Sequence, residues 1–251
     1  MLLSKACGLG LPNGVNSVSV PEKKTGKKEE FLTLNTADGL IGLAQMGVLE
    51  IHPWGCKNNS IERPDRIIFN LDPDTAIPWS TLAFTAQELR ERLKQFGLIS
   101  FLKSTGGKGL HVVVPIEPEH GWPVVKQFAH SVALEMEQGK PGLYITKMTK
   151  AARTGRIYLD YLRNDRGATA IAPFSPRARP GTPVAVTLDW KELHGANAPA
   201  FHVSDFASWK KRLRQDPWEA MLESKQSLSA EALRAGGEGS DRPGARRTSK
   251  R

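Results

Sequence analysis

Four short stretches carry residue types that do chemistry when brought together. In IIFNLDPD (67–74), strand alternation puts Asn70 and Asp72 on one face, with Asp74 joining them unless Pro73 ends the strand. Same-face carboxylates at a strand end hold divalent cations, but here the first position carries an amide. Alone, the stretch reads as readily as a strand end in which Asp72 caps a turn. In STGGKGLH (104–111), Gly106, Gly107 and Gly109 free backbone N–H groups to approach a phosphate. Lys108 adds a charge there and His111 a donor. A P-loop is excluded, because GxxxxGK[ST] is absent and a strand follows instead of a helix. A hairpin turn and a core histidine are the plainer alternatives.

In GRIYLDYLRN (155–164), Asp160 sits inside an apolar strand, where a carboxylate is costly unless paired or metal-bound. An ion pair with Arg163 or Arg156 would also satisfy it. In PFSPRARPG (173–181), Arg177 and Arg179 lie two apart in a proline-stiffened segment suited to gripping a polyphosphate. Each signal is weak singly. Together, spaced acids on two strands, a glycine–lysine loop with a histidine and a paired-arginine loop are the parts of a metal-dependent nucleotidyl-transfer site. In such a site metal ions activate an attacking hydroxyl and stabilise the leaving pyrophosphate, while basic groups neutralise the triphosphate.

The elements that must position these residues are legible as periodicities. DRIIFNL, SFLK, LHVVVPI and RIYLDYL read as strands. Thr36 or Asp38 caps a helix carrying Leu40, Ile41, Leu43, Ala44 and Val48 inward. A second helix spans 80–97, with Ser80 as N-cap, a stripe of Leu82, Phe84, Leu89, Leu93 and Phe96, and Gly97 as its stop. A third covers about 122–137, with Val125, Phe128, Ala129 and Val132 inward. WKEL and FASWKKRLRQDPW read as short amphipathic helices. Helices and strands mixed without βαβ regularity predict an α+β fold.

The 251 residues suffice for a sizeable core, and no run of about eighteen apolar residues suggests a membrane span. The net charge of +9 points to a polyanionic partner, nucleic acid before membrane. Two cysteines without a CxxC pattern argue against a disulfide framework and fit a reducing cytosol. Residues 1–30, ending in KKTGKKEE, are expected to lack stable order, and 223–251 to form a basic, disordered tail of frayed helix and coil.

In this order, LEIHPW, RPDRIIFNLDPD, STGGKGLHVVVP, GRIYLDYLRN and SPRARPG resemble the polymerase domain of bacterial ATP-dependent DNA ligase D. That domain is a primase-polymerase of the archaeo-eukaryotic primase superfamily. The resemblance runs from about residue 31 to 220 and predicts a domain over 31–222. It implies a primase-type catalytic core, with a mixed or antiparallel sheet and flanking helices. The implied activity is addition of nucleotides, preferentially ribonucleotides, to broken DNA ends in non-homologous end joining, with Mn2+ or Mg2+. It further implies DNA ends and NTP or dNTP as ligands, a Ku-like end-binding protein and a separate ligase as partners, and a cytoplasmic, nucleoid-associated location.

By resemblance, Asp72 and Asp160 are the metal-binding, catalytic aspartates, and Asn70 stands where the family has the first Asp of its DLD motif. Ser104, Thr105, Lys108 and His111 match the triphosphate loop, with the Ser–Thr pair inverted. His52 matches the histidine of HPW, and Arg163, Arg177 and Arg179 match nucleotide-contacting basic residues. Two departures stand out. Asn70 lacks the charge of a bridging carboxylate, and residues 1–30 do not resemble the family's aromatic-and-lysine segment, so truncation at the N-terminus is expected. The alternative function is therefore a catalytically impaired remnant that only binds DNA ends or a repair partner.

Overall fold

The computed structural model describes residues 2–5, 10–22 and 25–238. Near the N-terminus, β1 (Leu2–Lys5), β2 (Val15–Pro21) and β3 (Lys28–Leu34) form an antiparallel sheet in the order β1-β3-β2. The disorder expected for residues 1–30 is thus corrected. Val15, Val20 and Leu34 are buried, and Phe31 packs edge-on against Trp54 at 5.1 Å. Enough apolar surface is covered to order a segment that looks merely polar in sequence.

Helix α1 (Ala37–Gln45) follows, with Thr36 accepting the Gly39 N–H as N-cap. Its inward face is narrower than predicted. Leu43 is buried, but Leu40 and Ile41 are 45% and 57% exposed and Ala44 and Val48 are also exposed. Gly39 and Gly42 instead let the Gly14 backbone and the Leu34 and Pro12 side chains approach the helix closely.

The main sheet has six strands: β4 (Arg66–Pro73), β5 (Phe101–Ser104), β6 (Leu110–Pro115), β7 (Tyr144–Ile145), β8 (Ile157–Asp160) and β9 (Thr187–Leu188). Their order is β7-β8-β4-β6-β5-β9, with only β7–β8 parallel. The predicted α+β class and mixed sheet hold. Odd residues of β4 (Ile67, Phe69, Leu71) and even residues of β6 (Leu110, Val112, Val114) enter the large core. There they meet α2 (Trp79–Gln95) and α3 (Trp122–Gly139).

Helix α2 starts one residue earlier than expected, and Pro78, not Ser80, is its N-cap, without a side-chain bond. Leu82, Leu89 and Leu93 face in, whereas Phe84 is 51% exposed and lies under the Lys140 ammonium at 4.4 Å. Gly97, at φ +74°, supplies the left-handed residue that stops the helix. The short α4 (Phe206–Trp209) precedes a 3-10 turn, and WKEL also forms a 3-10 turn. The tail expected over 223–251 is ordered as far as described. Helix α5 (Ala230–Glu238) packs on α3 through buried Ala232, and a Cβ on Gly236 would come within 3.4 Å of the Phe128 backbone. Residues 239–251, with the basic run RPGARRTSKR, lie outside the described residues.

The other face of the sheet carries Asn70, Asp72, Lys103, His111 and Asp160 beside a second apolar cluster that includes Ile68, Phe101 and Val113. β8 is shorter than RIYLDYL suggested, because the Asp160 carboxylate accepts the Leu162 N–H at 3.0 Å and turns the chain into a 3-10 turn. The buried Asn164 side chain then takes the place of a strand residue. It accepts the Ile68 N–H at 2.8 Å and donates to the Ile68 carbonyl at 2.9 Å. Asn164→Ala would orphan both backbone groups, each worth about 1–3 kcal/mol. Denaturant melts should show a loss of about 2–4 kcal/mol, and Asn164→Asp should lose at least as much, because it turns a buried carboxylate toward the Ile68 and Tyr161 carbonyls.

Candidate active site

Strand register decides which acidic groups meet. Asn70 lies opposite Asp160, and Asp72 opposite Tyr158, so all four share the polar face. Pro73 is the last residue of β4, and Asp74 leaves the site. Its N–H pairs with the Arg156 carbonyl at 2.9 Å and its carboxylate caps the Ala76 N–H at 2.9 Å. Asp160 is buried, and each oxygen is engaged twice. One accepts the Leu162 N–H at 3.0 Å and the Tyr158 hydroxyl at 3.4 Å; the other takes Arg163 Nε at 2.9 Å and Asn70 Nδ2 at 3.3 Å. A carboxylate offers about four lone-pair positions, so Asp160 is saturated.

Arg163, not Arg156, is thus the ion-pair partner of Asp160. Asp72 is partly exposed and stands between Lys108 Nζ at 3.5 Å and Arg153 Nη1 at 3.3 Å. Arg153 itself lies 3.7 Å over the Tyr158 ring.

The glycine loop is wedged between β4 and the arginine loop. Thr105 closes it, donating from N–H and Oγ1 to the Gly109 carbonyl at 3.2 and 3.0 Å. A Cβ on Gly109 would lie 2.6 Å from the Leu71 carbonyl, and one on Gly107 2.7 Å from Arg179 Nη1. These glycines are needed for close approach of neighbouring chain, whatever else they bind. Lys108 also donates to the Pro73 carbonyl.

His111, opposite Asn70 on β6, is buried with Nδ1 unpartnered. Burial, reinforced by Lys103, Arg163, Arg177 and His52, holds its pKa well below the usual imidazole value, so the ring is neutral. Ser104 is a different case. Its hydroxyl accepts the Val186 N–H at 2.9 Å, and it does not line the cleft. Alternation turns it to the face opposite Lys103, where it fastens β5 to the chain before β9.

Glu50, which sequence reasoning passed over inside LEIHPW, holds the third wall. Its carboxylate meets His52 Nε2 at 2.6 Å, Arg177 Nε at 3.2 Å and the Ala178 N–H at 2.7 Å. Burial alone would raise its pKa, but these three contacts more than offset it and leave Glu50 at about 2. Arg177 further donates to the Thr105 carbonyl at 2.7 Å, tying the arginine loop to the glycine loop. Phe174 and Thr182, at φ +60° and +44°, bracket this loop in left-handed conformations uncommon for residues with a Cβ.

The result is a cleft of about 240 Å3 into which His52, Asn70, Asp72, Thr105, Lys108, His111, Arg163, Arg177 and Arg179 project. Asp160 lies just beneath it, held to two of those residues. Permanent cations on or beside the cleft (Lys108, Arg153, Arg163, Arg177 and Arg179) outnumber the carboxylates Glu50, Asp72 and Asp160, a balance suited to a polyanion.

Comparison with known proteins places this arrangement. The family model described as the LigD primase-polymerase domain matches residues 2–218. The chain belongs to that family. The match takes in the residues of 1–30 that were expected to be unrelated. A multifunctional non-homologous end joining protein LigD of Pseudomonas aeruginosa is 38% identical over 216 residues, 83% of this chain and 25% of that protein. A bifunctional LigD of Bacillus subtilis is 30% identical over 70% of this chain and 29% of that protein. The chain therefore spans about a quarter of the length of these curated LigD relatives. Among solved structures, the polymerase domain from Mycobacterium tuberculosis ligase D in complex with DNA superposes with a TM-score of 0.76 at 27% identity. That alignment covers 86% of this chain and 76% of the other, and it bears out the primase-type core.

A metal is implied by the resemblance, and the LigD-type cleft can be tested for it. Among the described residues no three or more His, Cys, Asp or Glu side chains gather into a metal-binding group. Asp72, Asp160 and the Asn70 amide are hard oxygen donors of the kind Mg2+ and Mn2+ take. They suit one ion; the negative charge is too small for two. Among the described residues no helix is long and apolar enough to cross a membrane.

Proposed function

We propose that this LigD-type chain adds nucleotides, preferentially ribonucleotides, to DNA ends during non-homologous end joining. The observation that carries the reading is the polar row Asp160–Asn70–His111 opening onto a cleft rimmed by Lys108, Arg177 and Arg179. Asp72 and Asp160, with the Asn70 amide oxygen as third donor, would hold Mn2+ or Mg2+. When bound, the ion lowers the pKa of a primer 3′-hydroxyl and offsets charge on the departing pyrophosphate.

The chain's own groups do the rest. Arg177 and Arg179 clamp the triphosphate, Arg177 being pre-oriented by Glu50. Lys108 would leave Asp72 for a phosphate oxygen, which would free the Asp72 oxygen that Arg153 does not hold. Neutral His111 donates to a phosphate without adding charge, and His52, held by Glu50, contacts the same nucleotide. Arg163 orients the Asp160 carboxylate. Thr105 shapes the loop, and Ser104 acts through packing. DNA ends are the polymer substrate, and a Ku-like end-binding protein and a separate ATP-dependent ligase are the partners.

A second reading has one specific observation behind it. Asn70 donates to Asp160, an interaction that a carboxylate at 70 cannot make and that occupies one of the two carboxylate oxygens. On that reading the chain is an impaired remnant that binds DNA ends or a repair partner without extending them. Primer extension with purified protein, Mn2+ and each NTP and dNTP decides between them. Extension is the expected result. No addition with any nucleotide, in Mn2+ or Mg2+, would leave the binding reading standing.

A further inference from the structure

One row of side chains crosses the main sheet beneath the cleft, one from each of five strands: Asp160, Asn70, His111, Lys103 and Thr187. Lys103 is the titratable member that the nucleotide reading leaves unused. It is only 2% exposed, and its ammonium donates to the Ser104 carbonyl at 3.3 Å. No carboxylate pairs with it among the described residues.

Its charged surroundings are cationic. His111 faces it from β6, Thr187 from β9, and Arg177 from the arginine loop. Arg66 lies across a small cavity that Lys103 and His111 both line, and is paired with Asp65. Arg212, bonded to the Thr187 carbonyl at 3.0 Å, is paired with Glu192. Burial first, and then Arg177, pull the Lys103 amine down to about 7. A buried ammonium among cations is a cost to the fold unless an anion repays it. His111, with Ala170 and Ile171, lines both the small cavity and the cleft, so this shared wall stands between Lys103 and whatever the cleft holds.

We propose that Lys103 is a proton-coupled positioning residue for the triphosphate: an anion in the cleft draws a proton onto its amine, and the ammonium supports that charge from beneath His111. The proton comes from solvent buffer, and no covalent bond other than the N–H is made. The inference rests on the nucleotide reading of the cleft. The sign follows from linkage. A bound anion raises the amine's affinity for a proton, so binding takes up a proton above neutrality and weakens as pH rises.

The test is calorimetric titration of ATP with magnesium into the whole chain, in two buffers of different ionisation heat. At pH 8 binding should take up a measurable part of a proton, at most about one, and affinity should fall up to about tenfold between pH 8 and 9. Lys103→Met, of similar length and apolar, should lose both effects and melt at a higher temperature; Lys103→Leu serves if that variant does not fold. A purely structural lysine would leave proton uptake unchanged on substitution, and that result would overturn the proposal. ATP binding by wild type without proton uptake would also overturn it, leaving the nucleotide reading intact. Absence of ATP binding at every pH would overturn both.

Discussion

Asp160→Asn should abolish nucleotide addition while leaving nucleotide binding intact or tighter. The substitution preserves shape and the acceptor for the Leu162 N–H, so the end of β8 keeps its turn. It removes the charge that Arg163 Nε meets at 2.9 Å and that a divalent ion would need. Freed from its partner, Arg163 projects into a cleft already rich in cations and gains a phosphate to pair with. Losing one preorganised charge at a reacting centre costs on the order of a hundred- to thousandfold in rate. The expected signature is a collapsed kcat in primer extension with an unchanged or lower Kd for ATP. Asp160→Ala should lose activity equally, with added destabilisation from the lost cap. If Asp160→Asn extends primers like wild type, Asp160 is a structural ion pair and the metal reading of this cleft fails.

Asn70→Asp should move activity in the opposite direction. Register puts residue 70 directly across from Asp160, so a carboxylate there replaces a donated hydrogen bond with like-charge repulsion. Without metal the variant should melt at a lower temperature than wild type. With Mn2+ the order should reverse, because an ion bound between two carboxylates stabilises the folded state in proportion to its occupancy. Several kcal/mol of added charge stabilisation corresponds to about two orders of magnitude or more in extension rate. A Mn2+-dependent rise in melting temperature without a gain in extension would place the limiting defect elsewhere than residue 70. No metal-dependent stabilisation at all would mean that Asp72 and Asp160 do not bind the ion together, since Lys108 and Arg153 already satisfy Asp72.

Several expectations failed for one physical reason. Phe84, Leu40 and Ile41 are apolar at helical spacing, yet what a helix buries depends on what lies against it, and these three remain about half exposed, Phe84 with the Lys140 ammonium over its ring. Residues 15–34 look polar, but pairing of β2 with β3 and the Trp54 contact recruit their few apolar side chains. Ser104 sits in a phosphate-binding motif by position, yet alternation turns its hydroxyl to Val186.

By itself the sequence determined the α+β class, the strands bearing Asp72, Asp160 and His111, and the glycine and arginine loops. Such features follow from period-two alternation, glycine and proline placement, and the cost of an isolated charge in an apolar run. All of these are local. Only the tertiary structure decided that Asn70 faces Asp160, that Glu50 orients His52 and Arg177, that Arg153 and Lys108 share Asp72, and that Lys103 is buried with no carboxylate paired to it among the described residues. Those facts depend on register between distant strands and on loops packed across the sheet. A lysine in SFLK reads the same whether water or a cation-lined interior surrounds it; burial alone makes its charge a matter of function.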